Sequence, residues 1–135
     1  MIKTLISDDM DYWHDIVERN LRFFGFNEFL HAYTIEECLE RYKNNKPGLI
    51  ITDINYDPLM PGNIHNGKGN LDGLRLCEQI REQDRDIKIV VMSSIEECAK
   101  ETSIKNGADY FIQKKRFKEE IENFIKMHYG WLIEK

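Results

Sequence analysis

The sequence predicts an α/β domain in which a parallel sheet carries helices on both faces. Short apolar segments alternate with longer amphipathic segments along the chain, and strict alternation of strand and helix is typical of that architecture. Two segments, Leu49–Ile51 and Ile89–Met92, contain no polar residue, as expected of strands covered on both sides. A length of 135 residues suits a single domain, 1–135, with one core.

Five apolar segments are the predicted strands: Ile2–Ser7, Glu28–Ala32, Leu49–Asp53, Ile87–Met92 and Tyr110–Gln113. The first predicted helix, Tyr12–Phe24, has its apolar residues at helical spacing and is followed by Gly25, a residue favoured just beyond a helix end. The second begins at Thr34, where Thr34 and Glu37 have the spacing of a capping box.

The third predicted helix covers Leu74–Gln83. The fourth follows a second capping box, Ser94 to Glu97, and ends near Gly107. The last begins at Phe117 and reaches about Trp131. Between the third strand and the third helix, residues 57–70 hold two of the three prolines of the chain together with several glycines, which predicts a long loop.

Composition argues against several classes of protein. Apolar residues make up 41% and charged residues 32% of the chain, an ordinary mixture for a soluble domain. A net charge of −5 disfavours direct nucleic-acid binding. No apolar run approaches the ~20 residues that cross a bilayer, and Asp8 and Asp9 interrupt any signal peptide, so we expect a cytoplasmic protein without a membrane partner. Three widely spaced cysteines predict neither a disulfide framework nor a zinc site.

Polar side chains lie where four of the predicted strands end. Ligands bind beyond the carboxyl ends of the strands in open parallel sheets, so these residues are expected at one edge. They are Asp8 and Asp9 after strand one, Asp53 after strand three, Ser93 and Ser94 after strand four, and Lys114 after strand five, with Lys115 next to it. Strand two ends on His31, Ala32 and Tyr33, which we expect to add nothing to the group.

Three carboxylates at one edge require a counterion or raised pKa values. Each pair at about 4 Å costs on the order of 4 kcal/mol at an effective dielectric constant near 20. Mg²⁺ prefers oxygen ligands, and together with one lysine it would balance three carboxylates. Carboxylate, Mg²⁺, lysine and hydroxyl are the groups that phosphoryl transfer needs, and a carboxylate can itself be the nucleophile.

At these motifs the chain strongly resembles the receiver domain of two-component response regulators, from Ile2 to about Trp131. The motifs are Asp8-Asp9 in "LISDD", Asp53 in "LIITD", Asp72-Gly73 in "LDGLRLCEQIR", Ser93-Ser94 in "IVVMSS", and "NGADYFIQK" ending in Lys114. The resemblance implies a flavodoxin-like (βα)5 doubly wound sheet of strand order 2-1-3-4-5. It implies a signalling switch, not an enzyme.

The resemblance also implies roles for individual residues. Asp53 would be the phosphoacceptor, and Mg²⁺ would be held by Asp8, Asp9, Asp53 and the backbone carbonyl of Asn55. The phosphoryl-binding and switch positions would be Ser93, with Ser94 beside it, Lys114 and the aromatic Phe111. The implied partners are a sensor histidine kinase or phosphotransfer protein, and a second copy that forms a homodimer through the face of helix four, strand five and helix five.

Departures from the family pattern include the residue after Lys114 and the loop after Asp53. The family usually has a cis proline after the lysine, where this chain has Lys115. The loop after Asp53 is also longer than usual. As a hypothesis, this loop partly covers the site as a lid, with Pro58, Gly62, His65 and Gly69 inside it.

Two other functions compete with this interpretation. Asp9-Met10-Asp11 resembles the D-x-D motif of haloacid-dehalogenase-like, Mg²⁺-dependent phosphatases, with Asp9 as nucleophile, although "MSSIEE" lacks the acidic motif that the class has after strand four. A degenerate receiver that acts only as a protein-binding module is the second alternative.

Overall fold

The computed structural model describes residues 2–53, 72–94 and 98–133. The strands are β1 (Lys3–Ser7), β2 (Glu28–Ala32), β3 (Leu49–Asp53), β4 (Lys88–Ser93) and β5 (Tyr110–Gln113). The helices are α1 (Asp11–Phe23), α2 (Ile35–Asn45), α3 (Asp72–Gln83), α4 (Cys98–Lys105) and α5 (Phe117–Ile133), with a short 3-10 turn over Lys114–Arg116.

All five strands form one parallel sheet of order β2-β1-β3-β4-β5. The predicted fold class and strand order are therefore confirmed. Three predicted strands match in both bounds. The first begins one residue later than predicted, at Lys3, and the fourth is shifted by one residue at both ends, to Lys88–Ser93.

The sheet divides the apolar core in two because neighbouring residues of a strand face opposite sides. Ile50 packs in the cluster that also contains residues of α2 and α3. The next residue along the strand, Ile51, packs in the cluster with residues of α1 and α5. Both residues are fully buried, which explains why β3 reads as a continuous apolar run.

Local signals set the helix ends as the sequence indicates. Thr34 Oγ1 accepts a hydrogen bond from the Glu37 N–H at 3.1 Å, and the Glu37 carboxylate accepts one from the Tyr33 N–H at 2.7 Å. Gly25 and Gly107 have φ of +96° and +108°, which other residues rarely adopt, and they follow α1 and α4. Residues 95–97, which carry most of the second predicted capping box, lie outside the described residues.

Arg81 ties together the amino ends of the strands, at the edge opposite the predicted site. Its guanidinium donates to the carbonyls of Ile87 at 2.8 Å and Gly107 at 2.9 Å, and it pairs with Asp109 at 2.7 Å. The Asp109 carboxylate also accepts from the Ile89 N–H at 2.8 Å. One side chain of α3 therefore joins the segments that lead into β4 and β5.

Within the described ranges, no helix has both the length and the apolar character that crossing a bilayer requires.

Candidate functional site

The parallel sheet gathers the predicted site residues at the carboxyl ends of its central strands. Asp8 follows β1, Asp53 ends β3, and Ser93 ends β4, while Lys114 comes directly after β5. All four side chains are buried, with exposures of 0% for Asp8 and Ser93, 5% for Asp53 and 9% for Lys114. Four polar groups are thus removed from water at one edge of a small domain, which is stable only if they compensate one another.

Three carboxylates and one ammonium form the centre of this edge. Oxygen atoms of Asp8, Asp9 and Asp53 lie within 4.8 Å of one another. Lys114 Nζ lies 2.8 Å from Asp8 Oδ2 and 3.4 Å from Asp53 Oδ1. Among the described contacts of the acidic cluster, Asp8, Asp9 and Asp53, the Lys114 ammonium is therefore the cation that pairs with two of the three carboxylates.

Asp8 is the most constrained member of the acidic cluster. Its Oδ1 accepts from the Met10 N–H at 2.8 Å, whereas the buried Oδ2 accepts no regular hydrogen bond from the described residues and has only the ion-pair contact with Lys114. Burial raises the pKa of Asp8, and the nearby Lys114 ammonium opposes that rise without cancelling it. A buried oxygen in this state, beside two further carboxylates, fits a hard divalent cation such as Mg²⁺.

The two lysines after β5 have different environments. Lys114 is buried and reaches the acidic cluster, while Lys115 is exposed. The peptide bond between them is trans, since no described peptide bond is cis. The 3-10 turn over Lys114–Arg116 takes the chain from β5 into α5 at this point.

The predicted switch residues differ in burial. Ser93 is fully buried and is paired with Gln113 across β4 and β5, whereas Ser94 is exposed. Phe111 is 7% exposed and packs in the core cluster that contains residues of α3. The remaining predicted site and loop residues, Asn55, Pro58, Gly62, His65 and Gly69, lie outside the described residues, so their roles stay predictions.

Trp13 is a neighbour of the site that the sequence alone does not reveal. Lys114 Nζ lies 4.9 Å from the centre of the Trp13 ring, within the range of a cation–π interaction. The ring also meets Phe117 edge-on at 6.0 Å between centroids. The helical spacing of the apolar residues in Tyr12–Phe24 does not indicate this contact, and the place of Trp13 in the first turn after Asp8-Asp9 is the signal that could have suggested it.

His14 connects the site to β2. Its Nε2 lies 2.8 Å from the backbone oxygen of Asp8, and its Nδ1 lies 2.8 Å from Nδ1 of His31. Tyr33 stacks on the His14 ring at 4.1 Å between centroids. Burial, together with the neighbouring His31, lowers the pKa of His14.

Among the described residues, neither the acidic cluster nor its ion pairs with Lys114 include a residue of β2, as expected, and β2 contacts this edge through His14. Because Ser7 pairs with Ala32 in parallel register, the end of β2 lies beside the end of β1, and His31 and Tyr33 both contact His14. The parallel register of β1 and β2 could have suggested that α1 contacts the end of β2, but the helical pattern of α1 did not indicate that His14 makes the contact.

Asp11, the second acid of the possible D-x-D motif, lies apart from the acidic cluster. It is exposed in the first turn of α1, and its carboxylate accepts from the Tyr33 hydroxyl at 2.6 Å. The structure therefore pairs Asp9 with Asp8 and Asp53 and not with Asp11.

A parallel sheet of order 2-1-3-4-5, with an acidic cluster and a buried lysine at its carboxyl edge, defines the class of receiver domains. The family model described as "Response regulator receiver domain" matches residues 4–126, and the chain belongs to that family. Receiver domains bind Mg²⁺ at an acidic pocket of this kind.

Individual relatives agree with this assignment. The chain is 28% identical over 125 residues to "Probable transcriptional regulator ycf27" of Porphyra purpurea, covering 92% of this chain and 46% of that protein. It thus spans about half the length of the curated relatives it matches.

Solved structures show the same fold. A response regulator of Chloroflexus aurantiacus J-10-fl superposes with a TM-score of 0.74 at 24% identity, covering 99% of this chain and 98% of that one. CheY in the CheX-CheY-BeF3-Mg²⁺ complex of Borrelia burgdorferi superposes with a TM-score of 0.76 at 21% identity, covering 95% and 89%.

Proposed function

We propose that this chain is a phosphoacceptor receiver domain that takes a phosphoryl group onto Asp53 from a sensor histidine kinase or phosphotransfer protein. The observation that carries the proposal is the convergence of Asp8, Asp9 and Asp53 within 4.8 Å, with Lys114 Nζ at 3.4 Å from the Asp53 carboxylate. Family membership supports it and favours the receiver over the phosphatase as the explanation of the same carboxylates.

In the proposed reaction an Asp53 oxygen attacks phosphorus. A P–O bond forms as the P–N bond of the donor phosphohistidine breaks, and the electron pair of that bond stays on the donor nitrogen. Lys114, already 3.4 Å from Asp53, would follow the phosphoryl oxygens and stabilise their charge. Buried Ser93 is the proposed hydroxyl partner of the phosphoryl group, with Ser94 next to it.

The proposed cofactor is Mg²⁺, which would be held by Asp8, Asp9, Asp53 and the backbone carbonyl of Asn55. When bound, it would neutralise the carboxylates and the charge on the transferred oxygens. Lys114 pairs with Asp8, whose Oδ2 otherwise accepts no regular hydrogen bond from the described residues.

The proposed output is the face formed by α4, β5 and α5. A groove of about 430 Å³ lies there, lined among others by Ile104, Phe111, Arg116 and Met127. Ile104 and Met127 are 46% and 67% exposed, so this face presents apolar contact area to a protein partner or a second copy. Phosphorylation would shift the population between two arrangements of this face, with Phe111 as the switch residue.

The direct test is labelling with acetyl phosphate in the presence of MgCl2, followed by intact-mass measurement. The wild type should gain one phosphoryl group that hydroxylamine removes, and Asp53→Asn should gain none. Asp86→Asn, which removes an exposed carboxylate before β4, is the matched control and should be labelled like the wild type. Unchanged labelling of Asp53→Asn would refute the assignment of the phosphoacceptor.

The same preparation separates the two alternatives. Turnover of a generic phosphate ester would favour the phosphatase, although Asp11 lies outside the acidic cluster. A chain that binds no Mg²⁺ and accepts no phosphoryl group would be the protein-binding module.

The long loop after Asp53 is proposed to limit access to the site. Replacing residues 57–70 by a short linker should then change the rate of phosphorylation or dephosphorylation. Equal rates in the two proteins would make the loop a passive insertion.

A further inference from the structure

We propose that His14 and His31 form a second metal site, for an imidazole-preferring divalent transition ion such as Zn²⁺ or Cu²⁺, on the side of the domain formed by α1 and β2. The site is separate from the acidic cluster and does not depend on phosphorylation of Asp53. Two of the four histidines of the chain meet here from different elements. Imidazole is a preferred ligand for these ions, whereas the carboxylate cluster suits Mg²⁺.

Hydrogen-bond chemistry determines which nitrogen of His14 carries the proton. Nε2 lies 2.8 Å from the backbone oxygen of Asp8, and a carbonyl only accepts, so Nε2 carries the hydrogen. In a neutral ring Nδ1 then has the lone pair. His31 Nδ1, at 2.8 Å, must be the donor in this contact.

This arrangement prepares His14 as a ligand. A metal-binding histidine usually donates its other ring N–H to a backbone carbonyl or a carboxylate, which fixes the tautomer and the direction of the ring. His14 already does so with Asp8, and Tyr33 stacks on its ring at 4.1 Å. The group that faces its lone pair is a hydrogen held by His31, and a metal ion can replace that hydrogen.

Replacement of the hydrogen between the two rings by a metal ion releases no proton to solvent. As two N–metal bonds form, the proton on His31 Nδ1 moves to its Nε2, and both rings stay neutral. With N–metal bonds of about 2.0–2.1 Å, two tetrahedral ligands lie about 3.3 Å apart, so the nitrogens must separate by about 0.5 Å from their present 2.8 Å. His31 is half-buried on the edge strand β2 and has room for this movement.

Carboxylates on α1 can complete the coordination. Asp11, Asp15 and Glu18 line an open cavity of about 510 Å³ with His14 and His31. Asp11 and Glu18 lie three and four residues from His14, on the same side of the helix. Among the described residues only the acidic cluster has three ligand atoms already gathered, so here the third ligand arrives when one of these side chains rotates.

Zn²⁺ binding to the full chain tests the proposal by calorimetry in a large excess of MgCl2, which keeps the acidic cluster occupied. The wild type should bind one Zn²⁺, and His31→Gln should bind it at least about tenfold more weakly. His128→Gln on α5 and His65→Gln in the loop are matched controls and should bind like the wild type. The proposal would be overturned if excess Mg²⁺ abolished the heat of Zn²⁺ binding, or if His31→Gln bound Zn²⁺ with the same affinity as the wild type.

A second measurement does not depend on a variant. Imidazole ¹⁵N spectra of the metal-free protein should show His14 protonated at Nε2 and His31 at Nδ1, and Zn²⁺ should move the His31 proton to Nε2. Cu²⁺ should show coupling to two nitrogens in its electron paramagnetic resonance spectrum. Unchanged ¹⁵N shifts of His14 and His31 at saturating Zn²⁺ would place the ion elsewhere and reject the site.

Discussion

The substitution Asp8→Asn should stabilise the metal-free protein although it removes a charged partner of Lys114. The raised pKa of Asp8 means that burial favours the neutral carboxyl by more than the Lys114 ammonium favours the carboxylate. Asparagine has nearly the same shape and cannot ionise. The substitution therefore removes a charge that folding takes fully out of water.

The magnitude follows from the distances at the site. At an effective dielectric constant near 20, the Lys114–Asp8 contact of 2.8 Å is worth a gross attraction of about 6 kcal/mol. Repulsion of Asp8 by Asp9 and Asp53, each at no more than 4.8 Å, is about 3.5 kcal/mol or more for each pair. These terms nearly cancel, and Lys114 keeps its second partner, Asp53, so the cost of burying the Asp8 charge decides the sign, and we expect a gain of about 1–3 kcal/mol.

Chemical unfolding followed by circular dichroism, with and without MgCl2, measures the effect. The contribution of Asp8 to the free energy of unfolding is fully present below the pKa that this carboxyl has in the unfolded chain. It is lost as pH rises through the raised pKa of Asp8 in the folded state. The gain from Asp8→Asn should therefore grow with pH across that window and then level off. Mg²⁺ should stabilise the wild type more than the variant, because the variant has lost one ligand.

Asp86→Asn provides the control, since it removes one exposed carboxylate from the loop before β4 and should leave stability within about 0.5 kcal/mol. A less stable Asp8→Asn protein in the absence of Mg²⁺ at neutral pH would refute the reasoning. It would mean that the Lys114 contact outweighs burial.

Three further outcomes are expected. Arg81→Ala should cost about 2–4 kcal/mol in denaturant unfolding because the carbonyls of Ile87 and Gly107 and the carboxylate of Asp109 lose a charged donor. Arg85→Ala should change the free energy of unfolding little, and a similar small effect of both substitutions would show that Arg81 does not stabilise the fold. Thr34→Ala should lower the free energy of unfolding by about 1 kcal/mol in the same assay, and Thr34→Ser should lower it much less. Equal stability of Thr34→Ala and the wild type would show that the cap hydrogen bond contributes nothing. With Trp131→Phe as background, Trp13 emission should change on Mg²⁺ addition because Lys114 leaves Asp8; constant emission would show that the ammonium does not move.

The sequence predicts the sheet and the main site residues because each depends on a local pattern. Continuous apolar runs identify central strands, and the residue that ends each run identifies what lies at the carboxyl edge. Asp8, Asp53 and Lys114 come together for that reason. Lys115 stands where the family usually has proline, and the peptide bond between Lys114 and Lys115 is trans.

The contacts around these residues could not be predicted in the same way. Trp13 over Lys114, and His14 against Asp8 and His31, depend on how α1 is rotated against the sheet, and a helical pattern gives the buried side only approximately. Arg81 shows the same limit, because its partners lie in the segments after two different helices, α3 and α4, and the spacing between them carries no signal.

The position of Arg81 has an implication for how this domain can change over time. It holds the edge of the sheet that is opposite Asp53, through contacts that involve no residue of the acidic cluster. Sites far apart with no common partner usually vary independently. Insertions or substitutions beside Asp53 can then be selected for their effect on signalling, while the contacts of Arg81 at the opposite edge of the sheet continue to stabilise the fold.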